Sequence, residues 1–127
     1  MPEKEVVSTK NAPAAIGPYS QGVKAGPFLF ISGQIPVDPA TGELVTGSIE
    51  EQTRRVMENL KAILAAAGLE MSRVVKTTIF LTDLDHFAAV NAVYGDYFPT
   101  NPPARSTVEV SSLPKGVGVE VEAVALL

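Results

Sequence analysis

The chain has 127 residues, of which 46% are hydrophobic and 19% charged, and its formal net charge is −4. This length and composition predict a single domain, residues 1–127, with a substantial core. The acidic balance argues against binding to nucleic acid, which needs clustered Lys and Arg. The absence of cysteine excludes disulfides and thiolate chemistry. Because the charged N-terminus leads into no long apolar segment, we expect no signal peptide and no membrane span, and hence a cytoplasmic protein.

The first half of the chain predicts short strands followed by a long helix. Residues 5–9 and 28–33 have strand patterns, and the second of these is apolar on both faces. Residues 11–18 contain two prolines and a glycine and predict a loop. A helix is predicted from Ser48 to Gly68, because a glutamate three residues after the serine matches a capping box and glycine favours a helix C-terminus.

The second half of the chain predicts a strand, a helix and two further strands. The predicted segments are a strand at 73–81, a helix from Asp83 or Asp85 to a point before Pro99, and strands at 104–110 and 117–127. Two helices on one sheet make a two-layer α+β domain. Because its strands are apolar on both faces, we expect the face without helices to pack against another subunit.

Arg105 is the most informative charged residue, because it lies on a predicted strand and the next strand carries Glu120 and Glu122. One interpretation is an internal ion pair between Arg105 and either glutamate. The other is that the planar guanidinium holds a substrate carboxylate in bidentate fashion while Glu120 acts on a nearby water. The sequence alone leaves both interpretations open.

Other polar residues are weaker candidates for a site. Tyr19 and Ser32 lie close to glycines, Gly33 among them, and taken alone they are ordinary turn residues. Asn91 is predicted on the buried face of its helix, near Tyr94. A buried amide must find hydrogen-bond partners, so Asn91 either ties down a loop or lines a pocket.

Several kinds of chemistry are excluded by residue counts and spacing. The chain has one histidine, His86, and no cysteine, so a metal site would need carboxylates alone, and no ligand-spaced cluster occurs. The glycines match neither a P-loop nor a dinucleotide-binding fingerprint. A serine triad lacks a base partner. Metal, nucleotide and covalent-serine chemistry are therefore not predicted.

Several separated motifs, in order, resemble the Rid (YjgF-type) family of enamine/imine deaminases. The motifs are residues 14–22, 32–36, 75–81, 90–94 and 103–110, and the strand at 119–123 fits as well. The resemblance runs essentially from end to end. It implies a chorismate-mutase-like α+β fold, with a mixed sheet of about six strands, two helices on one face, and assembly as a homotrimer with sites between subunits.

The same resemblance implies hydrolysis of 2-imino acids, such as 2-iminopropanoate and 2-iminobutanoate, to 2-keto acids and ammonia, without a cofactor. Arg105 would clamp the substrate carboxylate, and Glu120 with the backbone carbonyl of Thr107 would position the attacking water. The residues implied to line the cleft are Tyr19, Ser32, Gly33 and Asn91. Many relatives have cysteine where this chain has Thr107, which excludes a thiol-dependent role here.

Two alternatives to a deaminase remain. The first is a trimeric binding module that captures small 2-keto or 2-imino acids in the same cleft without turnover. Glu120 favours the enzyme, because a carboxylate receptor has little need of a second, negative residue nearby. The second is the ribonuclease activity attributed to some relatives, which fits poorly with an acidic chain that has one histidine. The expected partners are therefore a small acid and copies of the same chain, with no nucleic acid and no membrane.

Overall fold

The long helix α1 forms where the capping pattern predicts it, over Ile49–Ala66. Ser48 Oγ accepts a hydrogen bond from the Glu51 N–H at 3.1 Å, which satisfies one of the free donors of the first turn. At the other end Gly68 has φ +76°, and this turn lets the Leu69 N–H donate to the Leu64 carbonyl at 2.9 Å. The predicted start and stop of this helix are confirmed.

The structure, a computed structural model, describes residues 3–127. Its strands are β1 Glu5–Val7, β2 Gly22–Ala25, β3 Phe28–Gln34, β4 Val74–Leu81, β5 Ala104–Glu109 and β6 Val119–Leu126. They form one sheet in the order β1-β2-β3-β6-β4-β5. Only β4 and β5 run parallel. The predicted α+β fold with a six-stranded mixed sheet and two helices is confirmed.

Strand β2 is absent from the segments that the pattern predicts. It has four residues, it lies between Pro18 and Pro27, and Gly26 follows it directly, so it is too short to show an alternation. It forms because the antiparallel neighbour β3 offers a complete partner for it. Its existence is therefore a consequence of tertiary pairing.

The second helix, α2, connects β4 to the parallel strand β5, as such a pair requires. Asp83 Oδ1 accepts a hydrogen bond from the Asp85 N–H at 2.9 Å, a single 3₁₀ turn follows, and α2 spans Phe87–Asp96. This agrees with the predicted start near Asp83 and the end before Pro99. The placement of Asn91 on the buried face is wrong, because Asn91 is exposed.

The error over Asn91 has a geometric cause. The buried stripe of α2 consists of Val90, Val93 and Tyr94. At about 100° per residue, Asn91 lies roughly 100° around the helix from the centre of that stripe. Its side chain therefore points past the core toward the sheet edge, where β5 lies.

The core fills the space between the helices and one face of the sheet. Its fully buried side chains include Val56, Leu60 and Ile63 of α1 and Leu29, Ile79, Val119 and Val121 of the sheet. On the opposite face, the Phe28, Phe30 and Leu126 side chains are between 37% and 47% exposed. The predicted second apolar face therefore exists and is uncovered in the single chain. Within residues 3–127, none of the helices has the length and apolar character to cross a membrane.

Candidate functional site

The pairing of the strands places Arg105 and Glu120 on opposite faces of the sheet. Arg105 is paired with Thr77, which is paired with Ala123, and both of these partners are buried beneath the helices. Glu120 is paired with Phe80 on the face without helices. Directly paired residues share a face, so the two side chains diverge.

The internal ion pair considered for Arg105 is therefore wrong. Among residues 3–127 the salt bridges join Lys24 to Glu5 and Arg54 to Asp96, and Arg105 forms none. The two-residue period of the strands is the cause, since Arg105 faces the helices and both glutamates of β6 face away from them.

Three side chains of α2 hold Arg105 in place. Its Nη1 donates to Asn91 Oδ1 at 2.7 Å, and its Cζ lies 5.0 Å from the Tyr94 ring centroid and 5.4 Å from that of Phe87. Guanidinium groups are attracted to aromatic faces at such distances. A cavity of about 440 Å³ opens beside Arg105, and we call it the arginine pocket. It is lined by Asn91, Tyr94, Gly95, Phe98, Pro102, Pro103 and Arg105.

Tyr94 is itself fixed from below. Its hydroxyl is hydrogen-bonded to Thr77 Oγ1 at 2.7 Å in the buried layer. Burial raises the pKa of Tyr94, and the Thr77 hydrogen bond and the Arg105 charge partly oppose this shift. On the sequence alone, Phe87 and Tyr94 fit the apolar face of the second predicted helix, and neither is predicted to take part in a site. Their spacing from Asn91 on one helix, opposite a strand that carries an arginine, is the signal that could have identified the platform.

Thr107 shares the helix side of β5 with Arg105. Its Oγ1 is buried and has no hydrogen-bond partner among residues 3–127. The Val110 N–H donates to the Leu81 carbonyl at 2.8 Å, so by alternation the backbone groups of Thr107 point away from β4. Since β5 is an edge strand, the Thr107 carbonyl lies on the free edge of the sheet. It can accept a hydrogen bond there from a group outside the chain.

Glu120 lines a second cavity, of about 720 Å³, which we call the glutamate pocket. It also contains Tyr19, Ser32 and Gly33. The Glu120 carboxylate lies across the Gly33 backbone so closely that a β-carbon at position 33 would collide with it. Burial raises the pKa of Glu120, and the nearby charge of Glu122 raises it further. Gly33 is thus required here for close approach.

The polar end of this pocket is shaped by an irregularity in β3. The register with β6 shifts between Ile31 and Gln34, so Ser32 and Gly33 lie at a bulge, a feature that re-aims side chains. Ser32 Oγ donates to the Ser20 carbonyl. The Tyr19 hydroxyl accepts a hydrogen bond from the Ile16 N–H at 3.3 Å and keeps its own proton available for a ligand.

Two buried amides that the sequence analysis does not single out hold the loops around this pocket. Gln21 Oε1 accepts from the Thr9 N–H at 2.6 Å, and its Nε2 donates to the Pro13 carbonyl at 2.8 Å. Asn59 on α1 is fully buried and donates to the carbonyls of Ile35 at 3.2 Å and Val37 at 3.0 Å. Asn59 is a polar residue within the apolar stripe of α1, and this position is the signal from which a buried hydrogen-bonding role could have been predicted.

The structure thus gathers the seven candidate residues into two groups instead of one. Arg105, Asn91 and Thr107 are at the arginine pocket or beside it, and the remaining four line the glutamate pocket. The first group contains Arg105 but not Glu120, and the second contains Glu120 but not Arg105, although the predicted chemistry uses both residues. In the described part of the chain, no three His, Cys, Asp or Glu side chains are close enough together to hold a metal ion.

Comparison with known proteins places the chain in a family. The family model described as "Endoribonuclease L-PSP" matches residues 9–127. Reactive Intermediate Deaminase A of Arabidopsis thaliana is 50% identical over 125 residues, which cover 98% of this chain and 67% of that protein.

Two solved structures have the same fold. YyfA of the conserved Rid protein family from Yersinia pestis is 53% identical, with a TM-score of 0.96 and coverage of 98% of this chain and 100% of that one. TdcF from E. coli, solved with bound serine, is 47% identical, with a TM-score of 0.91 and coverage of 97% and 98%. The resemblance that the motifs indicate is confirmed: the chain belongs to the endoribonuclease L-PSP family, that of the Rid and YjgF proteins.

Proposed function

We propose that the protein is an enamine/imine deaminase that hydrolyses 2-imino acids to 2-keto acids and ammonia, with 2-iminopropanoate and 2-iminobutanoate among its substrates. The observation that carries this proposal is the state of Arg105. Its guanidinium is stacked on two rings, makes one hydrogen bond, to Asn91, and forms no salt bridge with any carboxylate of residues 3–127. Its other N–H donors remain available for a substrate carboxylate.

The hydrolytic step requires an oriented water and a group that carries a proton. In the proposed reaction water attacks the imine carbon, a carbinolamine forms, and its C–N bond breaks to release ammonia and the keto acid. Glu120 takes a proton from the attacking water and passes it to the imine nitrogen, which gives the carbinolamine. It then takes the hydroxyl proton of the carbinolamine and passes it to the departing nitrogen, so that both water protons leave with ammonia, while the Thr107 carbonyl orients the water by accepting a hydrogen bond from it. A glutamate whose pKa is raised is better matched to this exchange near neutral pH. The reaction changes no oxidation state, so it needs no redox cofactor.

A site that uses both Arg105 and Glu120 must join two copies of the chain. We propose that the arginine pocket of one copy faces the glutamate pocket of the next, with the Thr107 carbonyl at the seam. Such a contact joins two different surfaces and closes into a ring, here a homotrimer with three sites. The open apolar face around Phe28, Phe30 and Leu126 supplies surface for that assembly.

Two relatives support the choice of ligand. The Arabidopsis relative is named as a reactive intermediate deaminase, and TdcF was solved with serine, a small molecule that carries a carboxylate and an amine. An imino acid has the same carboxylate and nitrogen at the same carbon. The presence of Glu120 in the pocket favours an enzyme over a receptor, because a negative group beside a bound carboxylate would repel it and adds nothing to binding alone.

The test is a competition assay with wild-type protein. Threonine or serine dehydratase generates the imine in place, semicarbazide competes for it, and formation of the keto acid is followed. We expect wild-type protein to convert the imine to keto acid faster than semicarbazide captures it. Arg105→Ala should match the blank, and Arg105→Lys should lower kcat/KM by about tenfold or more, because the charge remains but the planar fork is lost.

Arg54→Ala is the matched control, since Arg54 is exposed, lies on α1 and lines neither pocket. It should leave the kinetics unchanged. If wild-type protein matches the blank while folded and trimeric by light scattering, the binding module is the better description, and titration with 2-ketobutyrate would follow. Unchanged kinetics in Arg105→Lys would rule out the bidentate role.

A further inference from the structure

The glutamate pocket, as the single chain presents it, is much larger than the small imines require. Its volume is about 720 Å³. Cavities of about 300–1,000 Å³ commonly hold drug-sized ligands, whereas 2-iminopropanoate has only about six non-hydrogen atoms. The polar groups that the proposed reaction uses, Ser32, Gly33 and Glu120, occupy only part of the lining.

The rest of the lining is apolar. Apart from Tyr19, Gln21, Gln34 and Lys115, it consists mainly of Pro13, Ala14, Ile16, Ile35, Val37 and Pro39. Ile16 has 78% of its surface exposed, the largest exposed fraction among the large exposed apolar side chains of residues 3–127. An isolated exposed isoleucine is unremarkable, but one that borders an apolar concavity next to a polar reaction centre indicates a binding surface.

This apolar wall is already in place before any ligand binds. Asn59 holds the segment that carries Ile35 and Val37, and Gln21 holds the segment that carries Pro13. Both amides are buried, with exposed fractions of 0% and 4%. A wall held by buried hydrogen bonds needs little ordering when a ligand arrives, which favours binding.

We infer that this apolar wall is a subsite for the side chain of the imino acid, and that the preferred substrates carry bulky apolar side chains such as that of leucine. The inference rests on the proposed function. With the substrate carboxylate on Arg105 and the imine carbon near Glu120, the third substituent of that carbon is the side chain. The apolar part of the glutamate pocket, beside Glu120, is the space open to it.

The experiment compares imines that differ only in the side chain. D-Amino acid oxidase makes the imine from D-alanine or D-leucine, D-aspartate oxidase makes it from D-glutamate, and semicarbazide competes with the protein in each case. Because each further methylene buried in such a pocket changes specificity by about tenfold or more, kcat/KM for the leucine imine should exceed that for the alanine imine at least about tenfold.

Substitutions test whether the apolar wall determines the preference for the leucine imine. Ile16→Ala and, as a second variant, Ile35→Ala should each lower the leucine-to-alanine ratio of kcat/KM several-fold. Leu84→Ala is the matched control, because Leu84 is 45% exposed and lines neither pocket, and the ratio should stay unchanged. Thermal denaturation of all three verifies that they are folded.

The outcomes separate the inference from the proposed function. If no imine is hydrolysed, the proposed function fails and the subsite fails with it. If the alanine imine is hydrolysed as well as the leucine imine or better, the deaminase stands and the apolar subsite is wrong. A preference for the glutamate imine that disappears in Lys115→Ala would also overturn it, since Lys115 lies on the rim of the same pocket.

Discussion

The arginine pocket and the glutamate pocket hold their charged residues in opposite ways. Arg105 is stabilised where it lies, by two aromatic rings and the Asn91 amide. Glu120 is in an unfavourable place for a charge, since both burial and Glu122 raise its pKa. The first arrangement suits a group that binds and keeps its charge. The second suits a group that exchanges a proton. Neither pocket contains both Arg105 and Glu120.

The test with the largest expected effect on activity is complementation between two inactive variants, one altered in each pocket. Arg105→Ala and Glu120→Gln should each be inactive alone. Unfolded together and refolded as a mixture, they should regain activity, because about a quarter of the interfaces, drawn at random, combine an intact arginine with an intact glutamate. The imine competition assay measures it. Activity that stays at zero in mixed trimers would place the site within one chain and break the comparison.

The two amides, Asn59 and Asn91, sharpen the comparison through stability. Asn59→Ala leaves the buried carbonyl of Val37 without its donor and removes one of the two donors to the Ile35 carbonyl, so we expect a loss of about 1–3 kcal/mol in the free energy of unfolding. Asn91→Ala removes an exposed side chain and should cost within about 1 kcal/mol, while substrate binding weakens. Urea unfolding of both variants measures the difference, and equal losses would show that burial does not separate them.

Gly33→Ala tests the close approach within the glutamate pocket. The three atoms nearest to the added methyl all belong to the Glu120 side chain, which can swing away, so stability should change little. Displacing the carboxylate by about 1 Å should lower kcat by about 100-fold. Kinetics and thermal denaturation are measured on the same preparation. A large loss of stability would mean that the backbone, and not the carboxylate, gives way.

The smallest expected effect concerns pH. If Glu120 must be ionised to accept a proton, kcat/KM falls as pH drops through its raised pKa. Glu122→Gln removes a negative charge that raises this pKa, so the acid limb of the profile should move to lower pH. Burial, the larger cause, remains, so the shift should be partial. A shift toward higher pH would contradict the assignment of Glu120.

Local features of the sequence determined much of this molecule. Ser48, Gly68 and Asp83 mark the helix ends because capping hydrogen bonds form between residues a few positions apart. Alternation of apolar and polar residues identified the strands that carry Arg105 and Glu120, and the separated motifs were sufficient to recognise the Rid family. These signals depend on neighbours along the chain, which is why they can be read from the sequence.

Tertiary structure alone decided how the candidate residues are divided between the arginine pocket and the glutamate pocket. The four-residue strand β2 and the divergence of Arg105 from Glu120 follow from pairings between residues far apart in sequence. The exposure of Asn91 follows from which stripe of α2 packs on the core. A strand pattern gives two faces but does not say which of them the helices cover. That choice depends on the packing of α1 and α2 against the assembled sheet, and it is what divides the candidate site into two pockets.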